Sequence, residues 1–394
     1  MAVIQVEENW TQKPVDRRIF GNFIESGFGR QVNGMWSEML YNRAFRDVPA
    51  IKIATWEWLG LDKEHYNSEA PFWHSGYEEN DWQLIGAPER SHTCGTHTHK
   101  GTTSLLLENR DGGECGLKQE GLHLKKGKKY RFRLFAGIRG DMSEAGLNGF
   151  GDTIHTEEEE KLTVKIGKQQ TCFSLTSVPR LYEWEWEARE DEITDIRITF
   201  TFRGTLVLAF ASLMPDDNLG GWRADVVEKL KEASPSVVRF PGGCFVSFYN
   251  WESSIGDRDT REPQPSFYWG GLEENDVGLD EFLHLSRLVG FEPQICFNMM
   301  TSDPFKARRQ YAQKCVEFAR EMRLADPGIE LMLAAYAYDP ELLPMMLEIA
   351  GKEIQYVIYR QGNPEFVHQI LPVIREYNRK NGTDLKLVNT EWLP

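Results

Sequence analysis

Three charged side chains stand at the ends of apolar runs, and these residues are the best placed in the sequence to do chemistry. Arg239 lies in the run Val237–Phe240, just before a Pro-Gly-Gly turn, where glycine tolerates positive φ. Glu25 ends one apolar run near the N-terminus, and Glu391 ends another near the C-terminus. Because the carboxyl ends of parallel strands share one face of a sheet or barrel, we expect these residues to converge on one ligand pocket.

Two of these positions also have a plainer explanation. The stretch Val237–Trp251 is equally typical of a tight turn beneath a packed aromatic cluster. The position of Glu25 is also typical of a charged residue that ends a strand and faces water. The residues alone leave both interpretations open.

The strands and helices that must position these residues are predicted from two different sequence patterns along the chain. From residue 216 onward, apolar strands alternate with helical patterns, which indicates a parallel sheet with right-handed crossovers. Strands are predicted near residues 19, 237, 293, 329, 354 and 385, and a closed (β/α)8 barrel needs eight. The fold class is therefore α/β, a TIM barrel that is incomplete in this sequence.

Between about residues 48 and 215 the pattern changes to short runs in which apolar and polar residues alternate with period two. Tyr130–Ala136 and Ile196–Phe202 are examples, with Gly, Asn and Asp between the runs. This pattern predicts an inserted antiparallel β-sandwich. The predicted organisation is 1–48 for the first barrel strand and loop, 49–215 for the sandwich, and 216–394 for the rest of the barrel.

Composition excludes several classes of function. The net charge of −15 argues against nucleic acid and anionic membranes as partners. The six cysteines lie far apart, with no spacing typical of a metal site. The first residues lack a basic segment followed by a long apolar one, and no run approaches a membrane span. We therefore expect a cytoplasmic protein without metal or cofactor, and leave open whether it forms a homo-oligomer.

The motifs around the three charged residues belong to a set spread along the chain: Gly21-Asn-Phe-Ile-Glu25, Ser212-Leu-Met-Pro215, Arg239-Phe-Pro-Gly-Gly-Cys-Phe-Val-Ser247, Tyr249-Asn-Trp251, Trp269 with Glu273 and Asn275, Gly278-Leu-Asp-Glu-Phe282, Glu292-Pro293 and Asn389-Thr-Glu-Trp392. In this set the sequence resembles the family 51 glycoside hydrolases, which are mostly retaining α-L-arabinofuranosidases. The sandwich resembles the carbohydrate-binding-module-like insert of some members.

The resemblance implies an exo-acting enzyme that removes arabinofuranosyl groups from plant-type polysaccharides or oligosaccharides. Glu391 matches the nucleophile of a retaining mechanism. The residues that match the sugar-binding positions are Glu25, Arg239, Gly243, Cys244 and Trp269. The alternatives are an endo-β-glucanase or xylanase of the same fold and a catalytically inactive glycan-binding protein.

One catalytic group of the family has no counterpart here. The family places its acid/base Glu in an Asn-Glu pair at the end of the fourth barrel strand. In this sequence the run Phe297–Lys306 leads almost directly into a helix that resembles the one after that strand. A loop, a helix and a strand are therefore missing, and we predict a break in the chain near Lys306–Gln310. If the deletion is real, a catalytically inactive glycan-binding protein is favoured over a hydrolase.

Overall fold

The computed structural model describes residues 16–26, 31–46, 82–93, 99–100, 102–139, 159–243, 245–247, 249–266, 272–297, 307–334, 342–360 and 364–391. The chain divides into two compact units, Met1–Phe297 and Asn298–Pro394. Within the described ranges, no helix is long and apolar enough to cross a membrane.

The elements of the first unit, in chain order, are β1 (Asn22–Phe23), α1 (Gln31–Met35), β2 (Gln83–Ile85), β3 (Glu89–Thr93), β4 (Ser104–Asn109), β5 (Cys115–Leu124), β6 (Lys129–Arg139), β7 (Glu160–Ile166), β8 (Gln169–Leu175), β9 (Arg180–Glu187), β10 (Glu192–Phe200), β11 (Gly204–Pro215), α2 (Ala224–Ala233), β12 (Val237–Phe240), β13 (Gln264–Pro265), β14 (Leu272–Glu273), α3 (Leu279–Val289) and β15 (Glu292–Ile295). Short 3-10 helices span Arg17–Phe20, Phe245–Ser247, Trp251–Ser254 and Arg258–Thr260.

Two five-stranded antiparallel sheets form the sandwich. Their strand orders are β2-β5-β10-β7-β8 and β3-β4-β11-β6-β9. In β6, Tyr130, Phe132 and Leu134 are buried, whereas Lys129 before them and Arg131 between the first two are exposed. The buried face joins residues of the opposite sheet, such as Leu162, in one core against which Trp184 and Trp186 also pack. The period-two prediction of an antiparallel sandwich is confirmed.

The first unit also contains a parallel sheet with the order β1-β12-β15. Its core combines strand residues such as Val238 and Phe240 with Val227 of α2 and Phe282 of α3. Helix α3 ends at Gly290, which has a left-handed φ of 93°, the conformation that a glycine C-terminal cap typically adopts.

The strand predicted near residue 19, in the apolar run that ends at Glu25, is wrong over its first residues. Residues Arg17–Phe20 form a 3-10 helix, and Ile19 and Phe20 are more than half exposed. The cause is local, because the Asp16 side chain accepts a hydrogen bond from the backbone N–H of Arg18 and so caps the turn. Only Asn22–Phe23 joins the sheet.

The second unit contains α4 (Ala307–Ala325), β16 (Met332–Ala334), α5 (Leu342–Ala350), β17 (Tyr356–Arg360), α6 (Pro364–Asn381) and β18 (Lys386–Glu391). Its three strands form a parallel sheet in the order β16-β17-β18. Leu333 and Val357 of the sheet pack with Leu347 of α5 and Ile370 of α6. This alternation of strands and helices agrees with the prediction from residue 307 onward.

The mixed α/β class with an antiparallel sandwich is confirmed. Closure of an eight-stranded barrel stays a prediction, because the two parallel sheets belong to separate compact units. The predicted limits 1–48, 49–215 and 216–394 also stay predictions. Residues 298–306, which include the start of the expected break near Lys306–Gln310, lie outside the described part of the chain. The break therefore stays a prediction.

Candidate functional site

The carboxyl ends of β1 and β12 are held side by side beyond the strands themselves. Phe23 pairs with Arg239 in the parallel register. The Ile24 N–H then donates to the Arg239 carbonyl at 2.9 Å, and the Gly242 N–H donates to the Ile24 carbonyl at 2.7 Å. These bonds bring the residue after Ile24 to the Pro-Gly-Gly turn.

That residue is Glu25, whose carboxylate is buried in the turn. Its Oε1 accepts a hydrogen bond from the Phe245 N–H at 3.0 Å, and only 4% of the residue is exposed. Gly243 has a φ of 56°, and a Cβ added there would overlap the Glu25 carboxylate. The turn therefore needs glycine both for its backbone conformation and for the space that the carboxylate occupies.

Arg239 is buried beside the same turn. Its guanidinium carbon lies 4.8 Å from the centroid of the Phe23 ring, a cation-π geometry. The structure thus brings together Glu25, Arg239 and Gly243, and their role in binding a sugar stays a prediction.

The other predicted site residues are not brought to this turn by the described structure. Cys244 and Trp269 lie outside the described residues. Glu391 is the last residue of β18 in the second unit, where it is in register with Arg360. Its predicted place at the end of a parallel strand is confirmed, whereas its convergence with Glu25 stays a prediction.

The structure adds a group of buried carboxyls that the sequence reasoning did not assign to the site. Glu273 adjoins the Glu25 loop, because its side chain is hydrogen-bonded to that of Ser26. Burial raises the pKa of Glu273 to about 7, against the opposing effect of the Asn275 N–H, which donates to its Oε1 at 3.1 Å.

Glu274 is the more deeply buried neighbour. Its Oε1 accepts from the Asn42 N–H at 2.5 Å, while its Oε2 is buried and has no hydrogen-bond partner among the described residues. Burial, with the nearby Asp276 carboxylate, raises the pKa of Glu274 to about 8. A protonated carboxyl is the form that such surroundings favour at neutral pH.

Arg43 is the cation that lies nearest to Asp276 in this region. Its Nε lies 2.6 Å from Asp276 Oδ1 and its Nη1 lies 3.1 Å from Asp259 Oδ1. Burial opposes the charge on Arg43, but Asp276, followed by Glu38 and Asp259, outweighs burial and raises the pKa of the guanidinium.

Asp259 links this cluster to the sandwich. The Nη2 of Arg133, on β6, lies 2.7 Å from Asp259 Oδ2. Across the described ranges, no group of three or more His, Cys, Asp or Glu side chains is arranged to hold a metal ion. The signal that could have found the cluster is the polar run Glu273–Asp276 between a strand and a helix, although its partner Arg43 is over 200 positions away.

Comparison with known proteins identifies the segment that contains the turn. Residues 229–304 match the family model described as the α-L-arabinofuranosidase 1 domain. Over these residues the chain is similar to α-L-arabinofuranosidases. The resemblance predicted from the Arg239–Ser247 motif is thereby confirmed over this segment.

Curated proteins that are similar to parts of this chain are named as α-L-arabinofuranosidases. α-L-Arabinofuranosidase C of Emericella nidulans is 30% identical over 169 residues, which cover 30% of this chain and 33% of the relative. The intracellular exo-α-L-arabinofuranosidase of Bacteroides ovatus is 41% identical over 83 residues, which cover 21% of this chain and 16% of the relative. The chain therefore spans a third or less of the length of these relatives.

Among solved structures, the α-L-arabinofuranosidase of Thermotoga maritima in complex with arabinose shares 24% identity with this chain. The match covers 44% of this chain and 50% of that one, with a TM-score of 0.37.

Proposed function

We propose that this chain acts as a retaining, exo-acting α-L-arabinofuranosidase. The observation that carries the proposal is that the matched segment 229–304 contains the turn that holds the Glu25 carboxylate. Two relatives that are similar to part of this chain are named as arabinofuranosidases. The substrate would be a plant-type polysaccharide or oligosaccharide with terminal arabinofuranosyl groups, met in the cytoplasm.

In this proposal the turn binds the terminal sugar. One carboxylate oxygen of Glu25 accepts from the Phe245 N–H, so the side chain is held in one orientation. A carboxylate fixed in this way accepts hydrogen bonds from sugar hydroxyls without losing further conformational freedom. Arg239 supplies a buried positive charge beside it, and Cys244 and Trp269 complete the contacts with the sugar.

Glu391 is the proposed nucleophile. Its carboxylate attacks the anomeric carbon, the bond to the leaving oxygen breaks, and a covalent arabinosyl ester forms. A second carboxylic acid normally protonates the leaving oxygen and then deprotonates the water that hydrolyses the ester. The family's acid/base motif is an Asn-Glu pair, and the 394 residues contain no such pair.

This difference decides the form of the test. A dinitrophenyl α-L-arabinofuranoside has a leaving group that departs without protonation, so it reports on the nucleophile alone. We expect release of dinitrophenol and an increase in the intact mass by one arabinosyl group, mapped to the peptide that contains Glu391. Absence of both release and adduct would contradict the proposal.

A catalytically inactive glycan-binding protein is the second candidate, and the lack of an Asn-Glu pair favours it. It predicts that the protein binds arabinose-containing glycans and forms no adduct with the activated substrate. The same mass measurement, with a binding titration beside it, therefore separates the two candidates.

A further inference from the structure

Glu25 is held in place from three directions, and each restraint comes from a different part of the chain. Its Oε1 accepts from the Phe245 N–H at 3.0 Å, and its own N–H donates to Gln31 Oε1 at 2.7 Å. The third restraint acts on the next residue, since the Ser26 hydroxyl donates to the Glu273 carboxylate. Ser26 is only 2% exposed, so this hydrogen bond is shielded from water and is stronger than a similar bond at the surface.

Glu273 is itself fixed by a short hairpin. It is the last residue of β14, where it is in register with Gln264 of β13. Its Oε1 accepts from the Asn275 N–H at 3.1 Å. Asn275 has a left-handed φ of 57°, and its Nδ2 donates to the Glu262 carbonyl at 2.7 Å. A carboxylate that is already ordered in this way holds Ser26 without losing further side-chain freedom.

Glu273 also adjoins the residue that supports Phe245. The ring of Tyr249 lies against the ring of Phe245, with centroids 4.8 Å apart. Tyr249 is buried, and burial, followed by the negative charge of Glu273, raises the pKa of its hydroxyl. Glu273 is therefore close to both chain segments that carry the contacts of Glu25, residues 25–26 and residues 245–249.

A carboxylate is not the side chain that these surroundings favour for stability. Burial raises the pKa of Glu273, the Asp276 carboxylate adds to that effect, and the hydrogen bonds from Asn275 and Ser26 oppose it without cancelling it. Perturbed carboxyls are concentrated at functional sites, where the geometry that they impose is needed. The hydrogen bond to Ser26 is the geometry that Glu273 imposes next to Glu25.

We propose that Glu273 is a positioning residue for Glu25: through Ser26 it holds the Glu25 carboxylate where a sugar hydroxyl meets it. That the sugar is a terminal arabinofuranosyl group rests on the proposed function, whereas the bond between Glu273 and Ser26 does not. Glu273 acts through Ser26 and does not touch the sugar. Its loss should therefore weaken sugar binding and leave the chemistry at the anomeric carbon unchanged.

The test is a double-mutant cycle of Ser26→Ala and Glu273→Ala in the 394-residue protein. The burst of dinitrophenol from the activated arabinofuranoside separates three quantities: its amplitude counts competent molecules, its limiting rate reports chemistry, and its half-saturating concentration reports sugar binding. Each single variant should raise the half-saturating concentration by about tenfold, the size expected for one hydrogen bond to a charged group, with the limiting rate unchanged. A merely structural role would lower the amplitude instead.

The double variant should bind no more weakly than either single variant, because the second change removes a bond that is already broken. Glu273→Gln keeps an acceptor oxygen for Ser26 and should restore most of the affinity. Unchanged half-saturation in both single variants, a loss of amplitude alone, or additive losses in the double variant would each overturn the proposal.

The matched control is Glu274→Ala. Glu274 is the next residue of the same loop and is also buried, but its carboxylate accepts from the Asn42 N–H and not from Ser26. Half-saturation should be unchanged in this variant, whatever happens to its melting temperature. An effect as large as that of Glu273→Ala would mean that any buried carboxyl of this loop matters equally, which would contradict a specific role for Glu273.

Calorimetric titration with L-arabinose, applied to the same variants, separates this proposal from the proposed function. A parent protein that binds arabinose without a burst would overturn the arabinofuranosidase proposal alone, and the same cycle is then measured on the arabinose dissociation constant. A burst that is insensitive to Ser26→Ala and Glu273→Ala would overturn the positioning role alone. A parent protein with neither burst nor binding would overturn both.

Discussion

The carboxylate of Glu25 packs against the α-carbon of Gly243, leaving no room for a side chain at that position. The two residues are separated by more than 200 positions, and they meet because β1 and β12 are paired in parallel. The contact makes the orientation of Glu25 depend on the absence of a single methyl group.

Gly243→Ala should therefore displace Glu25. We expect turnover of an aryl arabinofuranoside to fall by about 100-fold or more, because misplacement of a positioning group by about 1 Å has that effect. The left-handed φ should also lower the unfolding free energy by about 1–2 kcal/mol. Steady-state kinetics and urea unfolding measure the two effects.

Gly256→Ala is the matched control for this variant. Gly256 also has a positive φ, of 85°, but nothing lies within 4 Å of an added Cβ. It should share the loss of stability and keep its turnover. Equal turnover in the two variants would show that the contact with Glu25 has no functional importance.

Glu391→Ala should lower turnover of the dinitrophenyl substrate by about a thousandfold or more, because it removes the proposed nucleophile. Sodium azide should restore turnover and yield the inverted arabinosyl azide, since a small anion fits the space left by the carboxylate. Asp384→Ala, which removes an exposed carboxylate just before β18, is the control. Normal turnover of Glu391→Ala would exclude this residue as the nucleophile.

Arg43→Met should be strongly destabilising. It removes the closest partner of the buried Asp276, whereas Asp259 keeps its ion pair with Arg133, and removing one partner of a buried pair typically costs about 3–5 kcal/mol. Arg197→Met breaks an exposed pair, for which the cost is about 0–1 kcal/mol. Urea unfolding of both variants gives the comparison, and similar losses would contradict the importance of the buried cluster.

The unfolding free energy should fall as the pH rises from about 5 to 8. The Glu274 carboxyl loses its proton near pH 4.5 when unfolded but only at about 8 when folded, so the folded protein binds more protons in between. Glu273, with its pKa of about 7, acts in the same direction. The melting temperature measured at successive pH values should show this slope.

Glu274→Gln should flatten that slope, because the amide stays neutral at every pH. The variant should be more stable than the parent protein at pH 8 and similar to it near pH 5. Glu228→Gln, at an exposed position of α2, is the control and should keep the parent slope. A slope unchanged by Glu274→Gln would mean that Glu274 is already ionised in the folded protein.

The sequence predicted the parts of the fold that are set by neighbouring residues, such as strand alternation and helix caps. The alternation in Tyr130–Ala136 predicted β6, because successive residues of a strand face opposite sides. Gly290 predicted the end of α3, because a left-handed cap favours glycine. The turn after Phe240 was recognisable for the same reason.

The rest depends on contacts between distant residues. The pair Arg43–Asp276 spans 233 positions and leaves no periodic trace in the sequence. The prediction of a strand from Arg18 failed for the opposite reason, since the adjacent Asp16 caps a turn that the apolar pattern hides. Whether Glu391 meets Glu25 depends on closure of the barrel, which no local pattern encodes.

The ion pair between Arg133 and Asp259 ties the sandwich to the loop that also holds Arg43. A binding module on a flexible tether raises the effective concentration of its ligand over a volume that the tether length sets. Here the attachment is direct, so a glycan bound on the sandwich would be held at a fixed spacing from the loop that carries Asp259. Only glycans long enough to span that spacing would gain avidity from binding to both parts.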